Sequence, residues 1–437
     1  MYLFYGIGGT ILMLALIVWG VPIAWSFVFV GAGGLMLILG PSVAIPQLEA
    51  RLFEVVSMYS WTVVPLFVMM GEIAYHIGVI SDLYDCSQKW AHRVKGALAI
   101  ATVFAATGFG AVSGSSAGTA AAMSKMAFPE MKKKNYSSNF VGGVLSAGGT
   151  MGFIIPPSIA MVVYGNCTDT SVGQLMIAGI LPGIILCIMF CAIIYFRVQF
   201  KPELAPIGFS DSIPFKEKIL ALKGILTPLA VFVFMLSGLY LGIFTPTEAG
   251  AVGVFLLIVL GLIRKKLTYA VLKTSFHEGV QVACMIFIIV YGALVFGDFL
   301  AFSRFTPIVV NGIARLEISP YLILAMFVGI ILLMGCILEA ISVIIIATPL
   351  MFPVIDRLGF DPVWFGIVFV LLTQAGTITP PVGVNVYVVN AIMKGQLDMI
   401  QVFKECVPFL VAIILLIVLL TIFPNIATYL PSLTVKV

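Results

Sequence analysis

Two stretches decide the reading: GFIIPPS at 152–158 and GTITPPV at 376–382. Each lies inside an apolar run, and each breaks it. Proline has no N–H to donate and its ring crowds the carbonyl one turn earlier, so a helix cannot pass through two in succession unchanged. The spacing then reads outward. Phe128-Pro129 stands before Pro156-Pro157 at the same interval as Phe352-Pro353 before Pro380-Pro381. The shift that carries Gly152 to Gly376 also carries Pro22 of GVPIAW to Pro246 of FTPTEA. A shift only two positions longer carries Gly71-Glu72 to Gly297-Asp298. Four registered landmarks make the chain a tandem duplication: span, span, span, broken run, span, span, repeated once.

The composition names the solvent. Of 437 residues, 61% are hydrophobic and 10% charged, where a soluble domain carries about 25% charged residues. That much apolar surface calls for a bilayer. Apolar runs fall near 3–20, 22–42, 59–80, 138–165, 173–198, 221–243, 247–264, 280–302, 363–390 and 405–428. Two longer runs, 97–131 and 321–355, are interrupted at midpoint by small or polar residues and read as re-entrant hairpins. The predicted fold is therefore an all-α polytopic membrane protein. A first repeat (1–200) carries the hairpin 97–131. A cytoplasmic linker (201–220) follows, then a second repeat (221–437) with the hairpin 321–355.

With the N-terminus outside and both hairpins entering and leaving on one side, seventeen of the 23 Lys and Arg face the cytoplasm. Arg51, Arg304, Arg315, Arg357 and Lys436 fall outside, and Lys125 lies within a broken run. This is the bias that the positive-inside rule requires. Both termini are then periplasmic, and the first span reads as retained, since no basic segment precedes it. Five crossings per copy is an odd number, so the second copy starts on the opposite face. That is the inverted-repeat plan of secondary transporters. The net charge of +4 follows from orientation, and nothing points to nucleic acid. Seven scattered Cys without a CxxC, and three scattered His, give neither a disulfide framework nor a metal cluster. No Ser/His/Asp constellation is present, so an enzyme is the weakest reading.

At membrane depth, irregular backbone persists only in a protein interior or along a cavity. Four such places stand out: the tips 110–119 and 335–340, and the bends 148–158 and 375–383. Their carbonyls and hydroxyls are hard oxygen donors suited to Na⁺, one group per repeat. Helix N-termini at the tips favour an anionic substrate. Glu339 stands opposite Ser115 in the repeat register, and Ser115 and Ser116 are read as substrate contacts at the first tip. Glu339 can bind a cation, pair with a base or carry a proton. Arg304 can meet a substrate carboxylate or Glu339, or serve as an interfacial anchor. Glu72 and Asp298 read as structural.

Along nearly the whole chain, VPLFVMMGEI (64–73), AVSGSSAGTAAA (111–122), GFIIPPSIAMVVYG (152–165), IAGILPG (177–183), GLYLGIFTPTEAGAV (238–252), GFDPVWFG (359–366) and GTITPPVGVNVYVV (376–389) occur in order. In these motifs the sequence resembles the large membrane subunit, the DctM-type M subunit, of tripartite ATP-independent periplasmic (TRAP) transporters. The resemblance implies an elevator-type ion transporter that takes up a small organic acid with sodium, two or more ions as cofactor. It implies a periplasmic substrate-binding protein that delivers the acid, a small four-span membrane subunit as a separate chain, and a bacterial inner (cytoplasmic) membrane with its lipid. The family's sodium positions fall on Ser113, Gly152, Ile155 and Pro157, and on Gly335, Gly376, Thr379 and Val382. Its substrate region falls on Ser158, Arg304 and the position of Glu339, where the family has Asp followed by Pro and this chain has Glu339-Ala340. The alternative is an ion-coupled carboxylate transporter, or a channel, working without a binding protein.

Overall fold

A computed structural model describes residues 2–206, 214–305, 307, 308, 312 and 319–433. Arg315, Lys436, the C-terminal end and the linker segment 207–213 lie outside the described residues. Among the described residues the protein is all helix and turn, with no strand. The helices follow the apolar runs: α1 (Tyr2–Val18), α2 (Ile23–Leu39), α3 (Pro41–Ser57), α4 (Val63–His76), α5 (Val79–Ala91), α6 (Ala97–Ser113), α7 (Ser116–Lys133), α8 (Ser138–Ile154), α9 (Ile159–Thr168), α10 (Val172–Phe200), α11 (Phe215–Tyr240), α12 (Pro246–Ile263), α13 (Tyr269–Phe302), α14 (Pro320–Gly335), α15 (Ala340–Arg357), α16 (Pro362–Thr377), α17 (Val384–Ile392), α18 (Met399–Ile422) and α19 (Asn425–Ser432).

Two helices depart from the sequence expectation. α3 and α5 fill stretches that carry too many charges to read as spans. Both are amphipathic, and each is tied to a neighbour by an ion pair. From α3, Arg51 donates from Nε to Asp298 Oδ2 and from Nη2 to Asp298 Oδ1, both at 2.7 Å. From α5, Asp82 accepts from Arg264, just past α12. Asp298 thus has the structural role expected of it. Planar guanidinium matched to carboxylate in this two-bond form is the geometry that Lys cannot supply.

Both broken runs fold back on themselves. The Tyr136 hydroxyl, just past α7, accepts from the Leu98 N–H at 3.2 Å, and Thr102 meets Met131. The far ends of α6 and α7 are therefore together. In the second run the Tyr321 ring, at the start of α14, lies 5.8 Å from Phe360, just past α15. α15 is long and apolar enough to cross by itself, so length alone does not reveal the hairpin; the antiparallel contacts do. Each tip ends against the bend of the next span. α7 has 18 residues and α10 has 29, or about 27 and 43 Å at 1.5 Å per residue, so the hairpin is much shorter than α10.

The bent spans form the interior. Residues 140–154 of α8 and 363–377 of α16 are all buried. α8 and α9 meet at an angle of 44°. α8 packs on α6, α7 and α18, and α16 packs on α14, α15 and α18. A second group, α2, α4, α12 and α13, packs around α13 and α4. The periphery carries Trp19, Phe29, Leu37, Phe53 and Ile263 in the open, the surface expected where lipid is the solvent.

Candidate functional site

Pro156 and Pro157 follow directly on Ile155, the C-cap of α8. Neither has an N–H, so the carbonyls of Gly152 and Phe153 lack their usual helical donors. The first tip docks beside them. Gly114, in the left-handed conformation at φ +61, lets the chain reverse, and its added Cβ would stand 2.8 Å from the Pro157 carbonyl. The Ile159 N–H donates to Gly114 O at 3.3 Å. A Cβ on Gly152 would stand 2.5 Å from Ser115 O and 2.6 Å from Thr119 Oγ1. Thr119 Oγ1 in turn donates to Ser115 O at 2.7 Å and lies 2.9 Å from Ser113 Oγ. Ser113, Gly152 and Pro157 are thus brought together with Thr119, and Ile155 is buried beside them. The donors are hydroxyls and carbonyls without net charge, a set that suits a hard monovalent cation.

The second tip repeats the contact with other chemistry. Gly335 lies on Gly376 so closely that a Cβ on Gly376 would meet Gly335 C at 2.4 Å and O at 2.7 Å. The Val382 and Gly383 N–H groups donate to Cys336 O at 3.2 and 3.4 Å. Thr379 Oγ1 donates to Ala375 O at 2.6 Å. Gly335, Gly376, Thr379 and Val382 therefore converge. Both Pro-Pro peptide bonds, 156–157 and 380–381, are cis.

The tips differ at their caps. Ser115 accepts from the Gly118 N–H at 3.2 Å through a neutral hydroxyl. Glu339 accepts from the Ile341 and Ser342 N–H groups at 3.0 and 3.4 Å through a carboxylate. The helix dipole favours an anion at this end, and α15 supplies its own. Ser116 is buried and exchanges hydrogen bonds with Asn385, at 2.8 Å from Nδ2 and 3.2 Å to Oδ1; the Asn385 amide also donates to Ser146 O at 3.1 Å. Sequence reasoning misses this cross-link between the first tip and α17, although Asn385 closely follows Val382. Ser158 is buried and caps α9 by accepting from the Met161 N–H at 3.3 Å.

Between the tips and the α4–α13 group lies a cavity of about 580 Å³. Ser113, Ser115 and Glu339 line it from the tips, Gly118 and Lys125 from α7, and Glu72, His76 and Glu278 from α4 and α13. Glu72 therefore faces the cavity instead of serving structure alone. One carboxylate oxygen of Glu72, one of Glu278 and a ring nitrogen of His76 lie within 4.8 Å of one another. The sequence conceals that meeting because His76 and Glu278 lie far apart along the chain. Arg304 stands exposed after α13 with φ +59 and does not line the cavity.

Residues 10–426 match the family described as the tripartite ATP-independent periplasmic transporter, DctM component. A C4-dicarboxylate TRAP transporter large permease protein, DctM of Pseudomonas aeruginosa, is 32% identical over 404 residues, covering 92% of this chain and 93% of that one. The sialic acid TRAP transporter large permease protein SiaM of Vibrio cholerae is 27% identical, covering 98% of both. Among solved structures, the YdaH transporter of Alcanivorax borkumensis shares the fold with a TM-score of 0.62 at 15% identity, over 90% of each chain. The chain is thus a multi-pass inner-membrane protein, a transporter subunit and not an enzyme, and it belongs to the DctM component family of the tripartite ATP-independent periplasmic transporters.

Proposed function

We propose that this protein drives uptake of a small organic acid with the sodium gradient, two or more ions moving with each acid. The observation that carries the reading is the pair of oxygen clusters at the tip–bend contacts, the first of them beside a cavity lined by both tips. Ser113, Thr119 and the carbonyls of Gly152 and Pro157 would hold one ion. Thr379 and the carbonyls around Gly335, Gly376 and Val382 would hold the other. Filling these clusters orders the tips against the bends and so builds the wall on which the acid rests. The two relatives carry a dicarboxylate and sialic acid by name, and both cargoes are acids, which supports an organic acid as the substrate class here.

The family description is tripartite and periplasmic. We accordingly assign delivery to a periplasmic binding protein and a further role to a small four-span membrane subunit on a separate chain. The hairpins, bent spans and α10 would move as one body against the α2–α4–α12–α13 group, an elevator form of alternating access. The basic-residue bias favours periplasmic termini. Uptake into proteoliposomes holding the chain with both partners tests the reading: a sodium gradient should drive accumulation, and equal uptake with potassium in place of sodium would refute the coupling.

A further inference from the structure

The cavity contains an ammonium that no part of the reading above uses. Lys125 lies midway along α7. Ala117, Gly118, Ala121, Ala122 and Lys125 all line the cavity, as expected of residues three and four apart on one helical face. Side chains on a helix lean toward its N-terminus, so Lys125 leans toward the tip. Its Nζ lies 5.6 Å from the Tyr75 ring centre. Among the described residues no carboxylate pairs with it within ion-pairing distance. Among them Lys125 is also the one Lys or Arg that lines this cavity.

The other charges in the cavity are acidic. Glu339 is turned onto its own helix by the Ile341 and Ser342 N–H groups. Glu72 and Glu278 stand on the α4–α13 wall with His76. A carboxylate entering the cavity is repelled from that wall. On the α7 side it meets an ammonium that Glu72 attracts across the cavity without closing an ion pair, a smooth floor of Ala and Gly, and a helix start capped by a hydroxyl instead of a charge. At the position that the repeat register matches to Lys125, the second hairpin has Pro349, so only the first hairpin offers this cation. Arg304, the basic residue singled out from the sequence, lies outside.

We propose that Lys125 binds the carboxylate of the transported acid, with Glu72 and Glu278 confining that carboxylate to the α7 side. The proposal rests on the organic-acid reading and is separable from it. The test uses proteoliposomes holding the complete transporter with both partners and a sodium gradient, with succinate, pyruvate and N-acetylneuraminate as probes. No sodium-driven uptake of any probe by the unaltered protein overturns the organic-acid reading and the proposal together. With the probe that is taken up, Lys125→Gln should raise KM about ten- to a hundredfold, the range of a lost charge-assisted hydrogen bond. Its kcat should change less than its KM, and Lys125→Arg should restore most of the affinity. A Lys125→Gln protein with KM within twofold of the unaltered one overturns the proposal and leaves the organic-acid reading standing. Should Lys125→Gln fail to assemble, Glu278→Gln decides: removing the repelling charge should lower KM about two- to fivefold, and an unchanged or raised KM overturns the proposal.

Discussion

The first and second tip–bend contacts are built alike and equipped differently. In both, glycine meets glycine or backbone, and a Pro-Pro pair frees carbonyls near the contact. In the first, the hydroxyls sit on the hairpin, at Ser113 and Thr119, and position 155 of the bend is Ile. In the second, the hydroxyl sits on the bend, at Thr379, the repeat counterpart of Ile155. The first cap is Ser115 and the second is Glu339. The first bend, residues 152–160, is wholly buried, whereas Pro380 and Pro381 are exposed. Backbone shape can be duplicated while side-chain chemistry diverges, because carbonyls supply most of the oxygen donors wherever the backbone takes that shape. On the proposed reading the divergence marks what each half does beyond holding a cation: the neutral first tip leaves room for an anion, and the second neutralises itself.

The largest effect should come from filling the glycine contact. Gly376→Ala places a Cβ against backbone at 2.4 Å, which no rotamer change relieves. Overpacking costs about 1–3 kcal/mol, and here it also separates tip from bend. We expect loss of sodium-driven uptake and a lower Tm of the purified protein.

Exchanging the caps breaks the asymmetry directly. Ser115→Asp keeps an N-cap acceptor but gives the first tip the charge of the second. We expect uptake of the acid to fall at least about tenfold, from like-charge repulsion of roughly a few kcal/mol at low dielectric, with folded yield unchanged. Equal uptake would place the acid elsewhere. Asn385→Ala removes the link between the first tip and α17 and leaves Ser116 Oγ and Ser146 O without it. The cost should be about 1–3 kcal/mol, read as a lower midpoint in thermal unfolding.

Much of this was legible in the sequence. The hairpin breaks, both bends and their pairing followed from proline chemistry and small residues, which act locally. The glycines of the two contacts were legible for the same reason. What the sequence hid depends on distant residues meeting. Glu72 reads as structural beside VMMG, and only the packing of α4 on α13 brings Glu278 to it. Arg304 reads as a carboxylate partner or an interfacial anchor because it follows a span, and the turn at the end of α13 leaves it outside the cavity. Lys125 stands out as a misplaced charge within a broken run, and that oddity was the available signal. α3 and α5 escape notice because amphipathic helices, held by ion pairs to residues far along the chain, carry no span signature.

The smallest effects should separate the two cation clusters. Thr119→Val and Thr379→Val each remove one hydroxyl and leave the carbonyls. Each should raise the sodium concentration for half-maximal uptake about two- to tenfold, the worth of one hydrogen-bond-strength contact. Similar shifts would make the clusters equivalent, and a shift in one alone would leave the other as packing.

Sodium titration of the initial uptake rate in the complete reconstituted transporter tests most directly whether each half holds an ion. Two interacting sites should give a sigmoidal curve with a Hill coefficient above about 1 and no greater than the number of sites. Uptake independent of sodium, or a hyperbolic curve unmoved by either threonine substitution, would contradict it.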